Sequence, residues 1–235
     1  MIHKKLKALT QKIHDQSLRK KVAELMENPE FKMEDESFPN LPLEISPAGL
    51  SRHHSYPRGY VEHVTSTANL AIAMCDSVEK VYGGKVNRDL IIAGVLLHDI
   101  FKPTTYALDE DGNFTQSPLA DYLDHLSLAT AELIRRRFPI ELVHIVAAHH
   151  GDYGPIGPHT VEALICHLAD FMDSRLNGKI LRAAGYLARR ATGEELPNMN
   201  SIEALQLIRS KTDEGWMGVA RTVQEIKHRR RTHKT

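Results

Sequence analysis

The chain has 235 residues, 42% hydrophobic and 26% charged, an ordinary globular composition that excludes disordered and collagen-like classes. Thirty basic residues balance 30 acidic ones, so no global field recommends nucleic acid as a partner. The longest apolar stretch, Leu90 to Leu97, falls far short of the roughly 20 residues of a membrane span. The start, Met1-Ile-His-Lys-Lys, lacks the apolar segment of a secretory signal, so the expected location is the cytoplasm and no membrane partner is expected.

In chain order, Leu6, Leu9, Ile13, Val22, Leu25 and Met26 recur at helical spacing among Lys, Arg and Gln, which predicts a surface helix over residues 4 to 27. From Asn28 to Arg58 the pattern fails and Pro29, Pro39, Pro42, Pro47 and Pro57 accumulate, predicting an extended surface connection long enough to be functional. Val61, Val64, Ala68, Ile72, Cys75 and Val78 then predict an amphipathic helix stopped by Gly83-Gly84. Asn87 is placed to cap the next helix, which is apolar on every side through Leu97 and belongs in the centre of the domain. Tyr106 to Phe114 reads as a small hairpin turning at Asp111-Gly112; a calcium loop fails because Ala120 stands where a bidentate glutamate is required.

Further helices are expected from Asp124 to Phe138, from Pro139 to His149 with Gly151 as the stop, and from a Thr160 cap to an end near Gly178. About three more follow, one opened by an Asn200 to Glu203 capping box. Cys75 and Cys166 show no metal-site spacing and are expected to be reduced and buried. The fold class is therefore all-α, with a small peripheral hairpin and extra helices at both ends. Two basic knots remain, Arg135-Arg136-Arg137 and the run from Lys227 to Lys234, both readable as solvated helix ends.

The outlying number is histidine, with 14 in the chain. Of two His-Asp pairs, His14-Asp15 lies on the charged N-terminal helix, whereas His98-Asp99 ends the most apolar helix. A buried carboxylate there costs several kcal/mol unless a positive group meets it, and a metal ion is the economical partner. His63, His125, His149, His150 and Asp170 each lie in or beside a helical segment with an apolar face. Singly, each has a structural explanation; together, two buried acids and five histidines on successive helices point to metal ligation.

This order of residues resembles the HD-domain metal-dependent phosphohydrolase superfamily over roughly residues 47 to 178. The stretches Pro47-Ala-Gly-Leu-Ser-Arg-His-His54, Arg58-Gly-Tyr-Val-Glu-His63, Leu96-Leu-His-Asp-Ile-Phe-Lys102, Asp124-His125 and Ala148-His-His-Gly151 are most similar to the HD domain of bacterial 3′→5′ exoribonucleases. Phe101 replaces a glycine of that pattern, which is expected to alter access to the metals, and no strand-rich segment supplies the OB-fold of those enzymes. The resemblance implies an HD-domain helical bundle at 47–178, preceded by an N-terminal helix and Pro-rich connection at 1–46 and followed by peripheral helices with a basic tail at 179–235.

It also implies roles. His63, His98, Asp99 and Asp170 would hold one metal, and His125, His149 and His150 a second, with Asp99 bridging. Mixed imidazole and carboxylate ligation suits Mn, Fe, Co, Ni or Zn, and the expectation is two ions. Asp99 and Lys102 would be catalytic, Lys102 contacting a phosphate oxygen; Arg58, His53 and His54 would orient substrate; Asp173 and Glu62 would fix histidine tautomers. The expected activity is hydrolysis of a small nucleotide-like or cyclic phosphodiester by attack of a metal-bound hydroxide. A 3′→5′ exoribonuclease with RNA as partner and a non-catalytic metal-binding sensor are the alternatives, and helical faces at both ends could support a homodimer.

Overall fold

The computed structural model describes residues 3–33, 36–38 and 40–232. Met1 and Ile2 of the start, Pro39 of the Pro-rich connection and Lys234 of the basic run lie outside the described residues. The first helical segment is two helices, α1 (Lys4–Thr10) and α2 (Gln16–Glu27), because Asp15 caps α2 by accepting from the Leu18 N–H. It is more than a surface helix: Leu6, Ile13, Val22 and Leu25 are fully buried against the core. Asp89 accepts from the His14 and Asp15 backbone N–H groups and joins the break to the centre of the molecule.

The connection that follows is also less superficial than its composition suggests. It contains a hairpin, β1 (Phe31–Met33) and β2 (Glu36–Phe38), and buries Phe31, Leu43, Ala48, His54 and Tyr56. The Tyr60 N–H donates to Ser46 O and the Ala48 N–H to His54 O, so the loop is pinned to the start of α3 (Gly59–Lys80). α4 (Arg88–Leu97) begins at Asn87, which accepts from the Leu90 N–H, and is buried from Ile91 to Leu97. Phe101 is fully buried edge-on against Phe31 and faces the core, not the cavity, so it does not gate access as its sequence position suggested. The expected hairpin is present as β3 (Tyr106–Leu108) and β4 (Phe114–Gln116), with Gly112 in the turn.

α5 (His125–Arg135) is capped by Asp124, and α6 (Ile140–Ala147) follows Pro139. α7 (Val161–Thr192) starts at a Thr160 cap and runs straight through Gly178, where the sequence suggested an end. The glycine is there for proximity: a Cβ at 178 would lie 2.8 Å from the Arg52 carbonyl oxygen. α7 packs on α3, α4 and α6 with its first half and on α8 (Ser201–Thr232) with its second. The Asn200–Glu203 capping box opens α8 as expected. At Gly215 the helix breaks (φ 69°), and its second half returns along the first, tied by Ser210 to Thr222 and by Arg230 to Glu203. Ala184, Ala188, Leu207, Val219, Val223 and Ile226 form a second apolar core there, beside the main one around α4.

Candidate metal centre

The main core ends in polarity where α4 stops. His98 is the C-cap of α4 and Asp99 follows it, and both are fully buried. His63 arrives from the first turns of α3, His125 from the start of α5, His149 and His150 from just beyond α6, and Asp170 from the middle of α7. Asp99 sits among them. Its Oδ2 is 3.3 Å from His63 Nε2 and 3.3 Å from His98 Nε2; its Oδ1 is 3.4 Å from His125 Nε2 and 3.6 Å from His149 Nε2. Asp170 Oδ1 completes the first side, 3.2 Å from His63 Nε2.

The imidazoles are held in one tautomer by fixed acceptors behind them. His63 Nδ1 donates to Asp173 Oδ2 at 2.7 Å, His98 Nδ1 to Val95 O at 2.8 Å, and His149 Nδ1 to Val146 O at 2.7 Å. In His98 and His149 the proton is spent away from the site and the Nε2 lone pair faces Asp99, while His63 Nε2 lies 3.2 Å from His98 Nε2. Asp99 Oδ1 and the Nε2 atoms of His125 and His149 are buried without completing a hydrogen bond, and Asp99 Oδ2 meets the Lys102 ammonium at 2.7 Å. Such a set of orphaned acceptors is costly alone and suits a cation. The residues therefore fit a divalent metal: the ligating atoms of His63, His98 and Asp170 lie within 4.8 Å of one another, as do those of His125, His149 and His150.

Electrostatics agree with that donor set. Burial alone would raise the Asp99 pKa, but the Lys102 ammonium and His98 outweigh it and hold the carboxyl well below its usual range. Asp170 is likewise held low, chiefly by His63 against its burial. Burial pushes His125 down to about 4 and lowers His149 and His150 as well, leaving neutral imidazoles at pH 7. His63 is the exception: burial would lower it, but Asp170, Asp173 and Asp99 together raise it well above the usual range.

The remaining expected residues separate by position. Lys102 is 12% exposed, with Nζ 2.7 Å from Asp99 Oδ2, so it is part of the site and no snorkelling surface lysine. His53 lines the cavity in front of the centre. His54 lies behind it, 2% exposed, with Nδ1 3.3 Å from His53 Nδ1 and Nε2 3.6 Å from Asp173. Burial pushes His53 to about 4 and His54 to about 3. Ligating atoms of His53, His54 and His63 also lie within 4.8 Å of one another, although Asp173 already occupies His63 Nδ1. Arg58 is exposed in the left-handed region at the start of α3 and does not line the cavity. Of the two expected supporting acids, Asp173 holds His63, whereas Glu62 neighbours Tyr56.

His167 lies outside the residues expected from the sequence yet supports the centre. Its Nδ1 donates to His149 O at 2.7 Å, and its ring fills the space where a Gly151 Cβ would fall, 2.4 Å from His167 Cε1. Its spacing, one turn before Asp170 on the same helix, was the available signal. A cavity of about 460 Å³ opens in front of the centre, walled by Lys102, His53, His150, Tyr153, His167 and Phe171, with Arg52, Arg175 and Arg182 at its mouth.

The HD domain family matches residues 60–175, which span His63 to Asp173. The chain is 40% identical over 218 residues to dihydroneopterin 2',3'-cyclic phosphate phosphodiesterase of Methanocaldococcus jannaschii, covering 93% of this chain and 87% of that protein. It is 31% identical over 148 residues to 3'-5' exoribonuclease YhaM of Bacillus subtilis and 34% identical over 148 residues to that of Listeria monocytogenes. Each of those two matches covers 56% of this chain and 43% of the exoribonuclease. No solved structure matches. A match across nearly the whole chain, together with the convergence of these histidines and aspartates, leads to one conclusion: the chain belongs to the HD-domain family of metal-dependent phosphohydrolases.

Proposed function

We propose that the protein hydrolyses a small cyclic phosphodiester at a centre of two divalent ions. His63, His98, Asp99 and Asp170 would hold one ion, and Asp99, His125, His149 and His150 the other. The carrying observation is the division of Asp99, whose Oδ2 faces the first group and whose Oδ1 faces the second. When bound, such ions lower the pKa of water and neutralise charge on phosphoryl oxygens. Imidazole and carboxylate donors favour Mn, Fe, Co, Ni or Zn. In the reaction a water oxygen bonds to phosphorus, one ester P–O bond breaks, and the product is a phosphomonoester with a freed hydroxyl.

The chain's own groups prepare that step. Lys102, whose ammonium is kept charged by Asp99 despite burial, faces the cavity and offsets charge on a phosphoryl oxygen. One of the His53 and His54 Nδ1 atoms donates to the other, which orients His53 in the cavity wall. His167 holds the His149 backbone, and Ser174 donates to Asp170 Oδ1. The core at 47–178 would carry this chemistry, with the flanking segments 1–46 and 179–235 supporting it.

The relative in Methanocaldococcus, matched over almost the whole chain, supports a cyclic substrate. The exoribonuclease reading is weakened by the basic run in α8: Lys227 pairs with Glu194, Arg229 donates to Gln206, and Arg230 binds Glu203 and the carbonyls of Pro197 and Asn198. The test is metal analysis of the purified protein, then a screen of bis-p-nitrophenyl phosphate, 2′,3′-cyclic nucleotides, mononucleotides and short RNA with each ion. Turnover of the cyclic diesters is expected; activity confined to monoesters overturns the reading.

A further inference from the structure

The mouth of the cavity carries more positive charge than one phosphodiester requires. Lys102 already faces the inner site, and Arg52, Arg175 and Arg182 line the rim beyond it. All three are exposed, and none of them forms an ion pair among the described residues. Several arginines elsewhere meet carboxylates, such as Arg88 with Glu79, Arg136 with Glu132, Arg221 with Glu214 and Arg230 with Glu203, but here three arginines without such a partner line one cavity. Like charges gathered without counter-ions repel, an arrangement that becomes favourable when an anion arrives.

The fold builds this cluster from distant parts of the chain. Arg52 comes from the connection before α3, and Gly178 lets its backbone press onto α7; a Cβ at 178 would lie 2.8 Å from Arg52 O and 3.6 Å from Arg182 Nη1. Arg175 and Arg182 are seven residues apart, two turns along the same face of α7 and about 10 Å from each other. The Arg175 guanidinium lies over the Phe171 ring, 5.1 Å from its centroid, which holds it at the rim. Phe171, one turn before Arg175, begins this face and directly follows Asp170 of the metal centre, so one helix carries both the centre and two of the arginines into the same cavity.

We propose that Arg52, Arg175 and Arg182 form an outer anion subsite that receives a second phosphate group of the substrate, separate from the diester being cleaved. The proposal rests on the phosphodiesterase reading for the identity of the inner group. A cavity of about 460 Å³ has room for a nucleotide-sized molecule. The exposed Tyr153 ring on its wall offers a flat face to the part of the molecule between the two phosphates. The second phosphate can come from a terminal monoester on a mononucleotide or from the preceding linkage of a short oligonucleotide.

The experiment compares kcat/KM of the metal-loaded full chain on three substrates: a 2′,3′-cyclic nucleotide, the same compound bearing a 5′-phosphate, and a dinucleotide ending in a 2′,3′-cyclic phosphate. The wild type is expected to prefer one phosphate-extended substrate by at least about tenfold, mainly through KM. In Arg52→Gln and Arg182→Gln that ratio should fall toward one, with Arg182→Lys recovering part of it. Preference for the 5′-phosphate identifies a terminal monoester; preference for the dinucleotide identifies the preceding linkage. Equal kcat/KM for all three in the wild type overturns the subsite. Binding of a nucleoside 5′-monophosphate to metal-free protein separates the two readings. Weakening of about tenfold in Arg182→Gln without any diester turnover keeps the subsite and removes the phosphodiesterase; unchanged binding removes the subsite.

Discussion

Asp173 Oδ2 accepts a 2.7 Å hydrogen bond from His63 Nδ1, and this bond decides which nitrogen of the ring faces Asp99. Outer partners of this kind are worth about 10–100-fold in metal affinity. Asp173→Asn keeps the volume but removes the charge that fixes the His63 proton. Metal titration should show affinity weakened by about that factor, with the helical circular dichroism unchanged; unaltered affinity would show that His63 needs no such partner.

Asp99 joins both donor groups, so its loss should be felt by both. Asp99→Asn is expected to lower metal content on both sides and to reduce phosphodiester turnover by more than the about 100-fold of an outer-partner change. His125→Ala, by contrast, touches the Oδ1 side alone and should remove one equivalent of metal while leaving the other. Elemental analysis of the two variants beside the wild type distinguishes a joined pair of sites from a single one.

Orphaned acceptors at the centre make the metal-free protein pay a desolvation penalty that an ion relieves. At a free-ion concentration of about 100 times Kd, linkage contributes about 2.7 kcal/mol. For a chain of this size that is a rise in Tm of about 5–10 °C on metal addition, reversed by chelator. A melting curve indifferent to both would contradict a buried metal centre.

Glu132 is 2% exposed and is held by Arg135 and Arg136 at 2.6 and 2.5 Å. Burial would raise its pKa, but the two guanidiniums outweigh burial and lower it. A depressed carboxylate contributes stability that is present above its unfolded pKa of about 4.3 and lost as pH falls through the folded value. Glu132→Gln should therefore cost about 1–3 kcal/mol at pH 7, and the gap to wild type should close below about pH 4. Denaturant unfolding at both pH values measures it, and a gap independent of pH would exclude the ion pair as its cause.

Gly178 sits inside α7, where alanine is the better helix former by about 1 kcal/mol. The approach of Arg52 O reverses that preference. Gly178→Ala should lower stability by about 1–3 kcal/mol through displacement of the 52–54 loop. A stabilised variant would show that the close approach carries no weight.

Local chemistry made much of this protein legible from its sequence. Caps at Asn87 and Thr160, the Asn200–Glu203 box and the Asp111-Gly112 turn each depend on residues within four positions, and each appears where the pattern placed it. The convergence of His63, His98, Asp99, His125, His149 and Asp170 was legible for a related reason: a carboxylate or imidazole at the end of an apolar run has nowhere to go except toward a partner. Tertiary structure alone decided the rest. Nothing near Gly178 in sequence reveals that Arg52 leans on it, so a close approach passed for a helix end. The proline-rich connection looked superficial, yet it carries His53 and His54 to the centre because its apolar residues are too widely spaced to show a period. The rim of arginines assembles from segments more than a hundred residues apart, and only the packing of that connection against α7 brings their charges together.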